Sequence, residues 1–302
     1  MQGVGVPAAV APPTTAPRRG RRAQTRSRQQ SSPAGRIGLG IAVAALLLFT
    51  LLPAYWMIST AFDKNAAFRG ADLVPSGWTL DNFDKVFSDD TFGLYLRNSL
   101  LVAGVTVIAG AMVTLLAAVA VARFQFKFRT AVIVMILIVQ MVPLEALVIP
   151  LFIQVRQYGA LNSLLALSVV YIAFSLPFGI WMLRGFVAAI PKEIEEAAYV
   201  DGAGWWRMFF SVLLPLVAPG LVATSVFSFI TAWNEFIFAL TFMQDDEKYT
   251  VTVGLQKFFG QNTAEWGPIM AASTVISVPV IVFFTIAQRR ISSGLTAGGV
   301  KG

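Results

Sequence analysis

Two acidic residues, Glu145 and Glu235, lie in stretches of the sequence that are otherwise apolar. A carboxylate in such a stretch is costly in lipid, so acids of this kind usually face a cavity or a partner. Glu145 stands between Pro143 and Pro150, and Glu235 follows Asn234. These positions are candidates for a polar pathway, and a structural hydrogen bond is the alternative for either acid.

A second pattern begins at Pro191, which is followed closely by Glu193, Glu195 and Glu196. Proline suits the first turn of a helix, and acids there face the positive end of the helix dipole. The pattern predicts a helix that begins near residue 191.

Glycines at 202 and 204 then weaken this helix, and residues 205–213 resume a largely apolar helical run up to Pro215. The predicted order is helix, glycine bend, helix. A surface with almost no side chain permits close approach of a partner. The small residues that form it are Ala197, Ala198, Gly202 and Ala203. An amphipathic helix lying at a membrane interface is the alternative.

The composition excludes most catalytic chemistry. The chain has neither Cys nor His, which excludes disulfides, thiol nucleophiles, Cys/His zinc sites and triads with an imidazole base. No lysine is followed by Ser or Thr, so a Walker phosphate loop is absent, and any ATP used is hydrolysed by another chain. No dinucleotide-binding glycine motif follows a plausible strand. We assign no catalytic and no metal-binding residue.

Hydrophobicity places most of the chain in lipid. The 302 residues are 56% hydrophobic and 13% charged, whereas soluble proteins are about a quarter charged. Six apolar stretches are each long enough to cross a hydrocarbon core of about 30 Å. Pro215 and Pro219 disfavour a straight helix, so the fifth span is expected to begin at 215. The sequence predicts an all-α polytopic membrane protein with spans at about 37–61, 98–122, 130–155, 157–183, 215–238 and 266–288.

Basic residues indicate the orientation. Residues 1–36 contain seven Arg, five Pro and no acid, which predicts a disordered basic tail. Six spans place this tail, the 123–129 turn, the 187–215 loop and the 289–302 tail on one side. With Arg184, which precedes the loop, this side holds sixteen of the 23 basic residues. The positive-inside rule predicts that this side, with both termini, is cytoplasmic, and that residues 62–97 are external.

The segment after Pro191 resembles a known motif. Glu196-Ala197-Ala198, Gly202 and Leu214-Pro215, with Val212 where Ile is usual, resemble the EAA loop of inner-membrane permeases of binding-protein-dependent ABC importers. In that family the loop is a coupling helix that docks into a cleft on the ATPase subunit. The resemblance assigns this role here to Glu196, Ala197, Ala198, Asp201, Gly202, Ala203, Leu214 and Pro215.

The resemblance extends from about residue 37 to the C-terminus. The sequence from Trp233 to Phe236 and the segment 294–302 are similar to the carbohydrate branch, in particular the second maltose permease subunit. This implies the type I importer fold in a prokaryotic inner membrane. It also implies a second homologous permease, two ATPase subunits or a homodimer of them, an extracytoplasmic solute-binding protein and a sugar substrate.

The family resemblance implies further expectations about ligands. The chain binds no cofactor itself, and ATP and Mg are held by the partner ATPase. Membrane lipid is a partner and nucleic acid is not. The external loop 244–265 is expected to reach the binding protein through Gly260, Gln261 and Asn262.

Two functions compete with a sugar permease subunit. A proton-coupled secondary transporter would use Glu145 and Glu235 as its relay, but it leaves the EAA loop unexplained. A membrane enzyme with carboxylate chemistry would need paired acids at one depth. Glu145 is predicted in the middle of a span and Glu235 near a span end, so we disfavour the enzyme.

Overall fold

The computed structural model describes residues 33–70, 72–88, 90–259 and 265–298, and this part of the chain is almost entirely helical. Its α-helices, in chain order, are α1 (Pro33–Ala61), α2 (Asp81–Ser88), α3 (Asp90–Arg123), α4 (Arg129–Val139), α5 (Val148–Gln157), α6 (Leu164–Ala189), α7 (Lys192–Val200), α8 (Trp205–Met208), α9 (Leu214–Asn234), α10 (Ile237–Phe242), α11 (Val251–Gly254) and α12 (Trp266–Gly298). The described residues form no β-strand, and Asp63 and Trp78 form an isolated bridge. The predicted all-α class is confirmed.

Two units are distinguished along the chain, residues 1–51 and residues 52–302. The described part of the first is the N-terminal portion of α1, which is apolar and exposes large side chains such as Phe49. Helix α1 begins at Pro33, four residues before the predicted span, and the tail before it lies outside the described residues.

The second unit is a helical bundle in which α3, α6 and α9 pack against one another and α12 packs against α9. Five helices in the described residues are long and apolar enough to cross a membrane, and a bent pair raises this to six. They are Gly35–Ala61, Thr91–Arg123, Leu164–Ala189, Trp205–Asn234 and Trp266–Arg290, with the bent pair Arg129–Val139 and Leu144–Gln157. Because α12 continues to Gly298, much of the predicted 289–302 tail is helical.

The predicted third span, 130–155, is not one straight helix. Helix α4 ends at Val139, a 3-10 turn follows at Leu144–Leu147, and the two halves meet at 92°. Pro143 explains the bend, because proline lacks an N–H and disfavours helical geometry in the preceding residue. Pro150 lies in the first turn of α5, where proline is tolerated.

The fourth and fifth spans also differ from the prediction. Helix α6 begins at Leu164 rather than 157, because Gly159 and Asn162 adopt positive φ and the Ser163 side chain accepts from the amide of Ala166. The fifth helical run begins at Trp205 and passes both prolines, so the expectation that it starts at 215 was wrong. A π-helical turn at Phe209–Leu213 precedes Pro215 and relieves the crowding that proline imposes on the previous turn.

Two ends of the bundle are distinguished by their loops. We call the end with residues 123–129 and 184–207 the basic end. There an apolar cluster joins α3, α6 and the start of the fifth run, with Leu183, Phe209 and Leu213 buried. Arg129 donates to the carbonyls of Val121 and Ala122 at 2.7 and 3.3 Å, which satisfies acceptors at the end of α3.

The opposite end, which we call the loop end, carries residues 62–88 and 244–259. Tyr95 of α3 donates to Asp246 at 2.6 Å, and Lys257 donates to the same carboxylate at 2.5 Å. Hydrogen bonds from Lys257 and Tyr95 lower the pKa of Asp246 below its ordinary value. Asn98 donates to the carbonyls of Glu247 and Tyr249, so the loop is fastened to α3.

A buried carboxylate organises the other loop at this end. Asp63 is 1% exposed and accepts from the Ser76 hydroxyl at 2.7 Å and from the Asn65 amide at 3.0 Å. Burial raises the pKa of Asp63, but these hydrogen bonds outweigh burial and leave its pKa below the ordinary value. Nη1 of Arg69 lies 3.6 Å from Oδ2 of Asp63, and the Arg69 guanidinium stacks over the ring of Trp56.

The packing of Gly254 against Tyr95 yields the first prediction. A Cβ at Gly254 would lie 2.1 Å from Cδ2 of Tyr95, and the residue Tyr95 is only 1% exposed. We expect Gly254→Ala to lower the free energy of unfolding by about 1–3 kcal/mol, because Tyr95 must move and its bond to Asp246 is lost. The melting temperature of the detergent-purified protein measures this.

Gly93→Ala is the matched control, because a Cβ there meets no atom within 4 Å and alanine is the better helix former. Equal melting temperatures for the two variants would contradict the prediction.

Candidate functional site

The segment between α6 and the fifth helical run has the predicted order of helix, bend and helix. Helix α7 begins at Lys192, directly after Pro191, and carries Glu193 and Glu195 in its first turn. It ends at Val200, and the chain resumes helical structure at Trp205. The local signals of proline, acids and glycines therefore predicted this segment correctly.

The bend depends on the backbone conformation of Gly202. Its φ is +81°, a conformation that residues with a Cβ rarely adopt. The Gly202 amide donates to the Tyr199 carbonyl and the Ala203 amide to the Ala198 carbonyl, both at 3.0 Å. This is the Schellman arrangement, which satisfies carbonyls at a helix C-terminus. No atom lies within 4 Å of a Cβ placed on Gly202, so within this chain φ rather than crowding requires glycine.

The residues of the predicted motif divide between an inner and an outer face. Ala198 and Leu214 pack against the apolar cluster at the basic end, and Ala203 is half-buried. The exposed members are Glu196, Ala197, Asp201, Gly202 and Pro215. The outer face therefore offers small residues beside two carboxylates, which allows the backbone of a partner to approach closely.

Exposed aromatic side chains flank this outer face. Trp205 stacks on Phe209 at a centroid distance of 5.2 Å, and Trp206 stacks on Phe210 at 5.8 Å. Trp206 is 69% exposed and Phe210 54%. An amphipathic indole beside a span end is the side chain that membrane interfaces favour.

Glu235, a candidate for the polar pathway, lies at the break between α9 and α10. One carboxylate oxygen accepts from the amide of Phe238 at 2.9 Å, and the other accepts from the amide of Ala239 at 3.1 Å. The hydroxyl of Tyr171 donates to this second oxygen as well. The Thr252 hydroxyl donates to the backbone carbonyl of Glu235 at 2.9 Å. The carboxylate therefore holds α10, α9 and α6 together.

The other two pathway candidates are exposed. Glu145 lies on the 3-10 turn within the bent pair, and Asn234, the last residue of α9, donates to the carbonyl of Ile230 at 3.0 Å. The predicted contact residues Gly260, Gln261 and Asn262 lie outside the described residues. Next to them, Glu265 pairs with Lys85 of α2 at 3.4 Å.

The comparisons with known proteins agree with this arrangement. Residues 87–297 match the family described as the inner membrane component of binding-protein-dependent transport systems. The chain belongs to this family. It is thus a multi-pass inner-membrane transport component.

Individual relatives cover nearly the whole chain. The diacetylchitobiose uptake system permease protein DasC of Streptomyces coelicolor is 41% identical to this chain. The alignment covers 89% of this chain and 98% of DasC. The trehalose/maltose transport system permease protein MalG of Thermococcus litoralis is 38% identical to this chain. The alignment covers 88% of this chain and 97% of MalG. A crystal structure of a bacterial ABC transporter that imports alginate shares the fold, with a TM-score of 0.72, 22% identity and coverage of 85% and 98%.

Sequence reasoning did not find the partners of Glu235. Tyr171 lies 64 residues away in sequence, and no glycine or proline marks the break after Asn234. The only sequence signal was the isolated acid itself, whose cost in lipid requires donors of some kind.

The hydrogen bonds of Glu235 yield the second prediction. Glu235→Ala leaves two backbone amides and a tyrosine hydroxyl without their acceptor, so we expect a loss of about 1–3 kcal/mol in stability. Glu235→Gln keeps one acceptor oxygen and should lose less. Thermal unfolding of the purified variants measures both, with Glu145→Ala as the exposed control. A sugar contact without a structural role would instead change transport affinity and leave all three melting temperatures equal.

Proposed function

We propose that the chain is the permease subunit of an ATP-driven importer that moves an oligosaccharide or related sugar into the cytoplasm. The observation that carries this is the exposed outer face of α7, with Glu196, Ala197 and the positive φ of Gly202, in a member of the binding-protein-dependent family. The names of the two relatives, a diacetylchitobiose uptake permease and a trehalose/maltose transport permease, support a sugar as the substrate class.

Energy and substrate delivery come from partner chains. The sequence lacks a Walker loop, so two ATPase subunits bind ATP and Mg and hydrolyse the nucleotide. The outer face of α7 docks on such a subunit. A second homologous permease completes the pathway, and an extracytoplasmic binding protein delivers the sugar to the loop end.

This assignment fixes the orientation of the chain. The basic end faces the cytoplasm, because docking to a cytoplasmic ATPase requires α7 on that side. The excess of basic residues in the tails and in residues 123–129 and 184–207 supports the same orientation. The loop end then faces outward, toward the binding protein.

Uptake measurements test the function directly. The chain is co-expressed with its partner permease, ATPase and binding protein, and uptake of radiolabelled diacetylchitobiose, trehalose and maltose is followed. We expect uptake of at least one sugar that requires ATP and survives a protonophore. Uptake that collapses with the protonophore while ATP remains would support a proton-coupled carrier instead.

The bend at Gly202 yields the third prediction. Gly202→Asp adds a Cβ at positive φ, with strain of about 1–3 kcal/mol, and a charge on the docking face. We expect normal membrane insertion, loss of sugar uptake and loss of the ATPase subunit during purification. A loss of roughly 3 kcal/mol at an interface weakens binding more than a hundredfold.

Three further variants bracket this result. Ala197→Glu should also detach the ATPase, because it places a bulky charge on the same face. Gly202→Asn, nearly the same size but neutral, should be milder, because it adds a similar side chain without the charge. Lys192→Ala, outside the motif, should retain the subunit. Wild-type retention and hydrolysis in Gly202→Asp would show that α7 is not the coupling element.

Orientation yields the fourth prediction. The chain has no cysteine, so a single Gly20→Cys substitution can be labelled without background. We expect an impermeant maleimide to label it in inverted membrane vesicles and not in intact cells. Thr79→Cys, between α1 and α2, should give the opposite pattern. Labelling of position 20 in intact cells would reverse the proposed orientation.

A further inference from the structure

One arginine at the basic end touches two other helical segments. Arg123 is the last residue of α3, and its Nη2 donates to the carbonyl of Ile190 at 2.9 Å. Its Nε lies 2.6 Å from Oε1 of Glu195 in α7. The side chains of Arg123 and Glu195 are only 10% and 14% exposed, so this ion pair is largely shielded from water.

Each contact supplies a partner for a group that would otherwise lack one. Ile190 is the residue after α6, where carbonyls lack partners within the helix and a cation is favoured. Glu195 would be a mostly buried, uncompensated carboxylate without the guanidinium. The guanidinium is an extended planar cation, so one side chain can donate to the Ile190 carbonyl and pair by charge with Glu195.

Consecutive glutamates of α7 have different surroundings. Glu195 points to α3, whereas Glu196 is exposed on the outer face with Ala197. A step of one residue turns a helix by about 100°, which separates the two carboxylates. The motif shared with the family begins at Glu196, and Glu195 therefore belongs to a separate inward contact.

The two halves of α7 are held by different kinds of contact. The second half packs through Ala198 on the apolar cluster that joins α3, α6 and the fifth helical run. The first half is held to α3 by Arg123. Helix α3 in turn packs along α6 and α9, so it is the central helix of the bundle.

We propose that Arg123 is a positioning residue for coupling: through Glu195 it fixes the first half of α7 to α3, so that a displacement of α7 moves α3. This inference rests on the proposed function. Without the ion pair, α7 remains attached at its bend and keeps its docking face, but its first half can shift without moving α3. ATP hydrolysis then continues while less sugar is moved for each ATP.

The test separates docking from coupling. The complete transporter is reconstituted in proteoliposomes with Arg123→Gln, Glu195→Gln, the double variant or Arg123→Lys. Glu193→Gln, an exposed acid of the same helical turn, is the matched control. Three quantities are measured: the ATPase subunits retained, the ATP hydrolysed, and the radiolabelled diacetylchitobiose or trehalose imported per ATP.

We expect both single variants to retain the ATPase and to lower sugar imported per ATP by about tenfold, which corresponds to about 1.4 kcal/mol. The double variant should be no worse than either single variant, because both changes remove the same interaction. Arg123→Lys should restore part of the ratio, since it keeps the charge without the fork. Glu193→Gln should match the wild type.

Other results overturn the inference in distinguishable ways. Effects of the two substitutions that multiply in the double variant would show that Arg123 and Glu195 act independently. Loss of the ATPase subunit from Glu195→Gln would make the pair part of docking, and an unchanged ratio would remove it from coupling. If Arg123→Gln fails to insert, Glu195→Gln decides the outcome. A wild-type complex without ATP-dependent uptake of any sugar would overturn the proposed function and this inference with it.

Discussion

Inside a bilayer every backbone amide and carbonyl needs a partner from the protein, and this constraint decides where the helices of this chain can break. The break after α9 is possible because Glu235 accepts the first amides of α10 and Thr252 covers its carbonyl. At the basic end, Arg129 and Arg123 serve the last carbonyls of α3 and the residue after α6. Arg123, Arg129 and Glu235 therefore replace hydrogen bonds that the backbone lacks at helix ends. Both carboxylate oxygens of Glu235 accept hydrogen bonds from within the bundle, which gives this acid a structural role.

Features set by neighbouring residues could be predicted from the sequence, and features set by distant contacts could not. Pro191, the following acids and Gly202 fix the course of α7 and its bend, so both were predicted. The break at Glu235 depends on Tyr171 and Thr252, which only the folded bundle brings near. The pairing of Arg123 with Glu195 could not be predicted for the same reason, because 72 positions separate these two residues in sequence. The motif marked the outer face of α7, and only the structure revealed what holds its inner face.

Prolines show why residue type alone does not settle helix boundaries. Pro143 follows the end of α4 and coincides with a 92° bend, whereas Pro215 and Pro219 lie inside a continuous helical run. Proline removes one hydrogen bond in both cases, but the outcome depends on whether the preceding turn can widen. Before Pro215 it does, as a π-helical turn. This difference lets the fifth run extend from the bundle to the bend at Gly202, so the face that we propose for docking is continuous with a bundle helix.

The π-helical turn at Phe209–Leu213 also bears on which changes in chain length the protein can absorb. A turn of this kind holds one residue more than an α-helical turn while the flanking helices stay in phase. Deleting one residue within it would leave Trp205 and Val217 on their present faces, but it would also remove the wider turn that accommodates Pro215. Deleting one residue farther along α9 would rotate everything before it by about 100° and turn the apolar cluster contacts toward lipid. An evolutionary deletion in the π-helical turn therefore requires replacement of Pro215 as well, whereas a deletion in α9 would change the faces of the whole preceding segment.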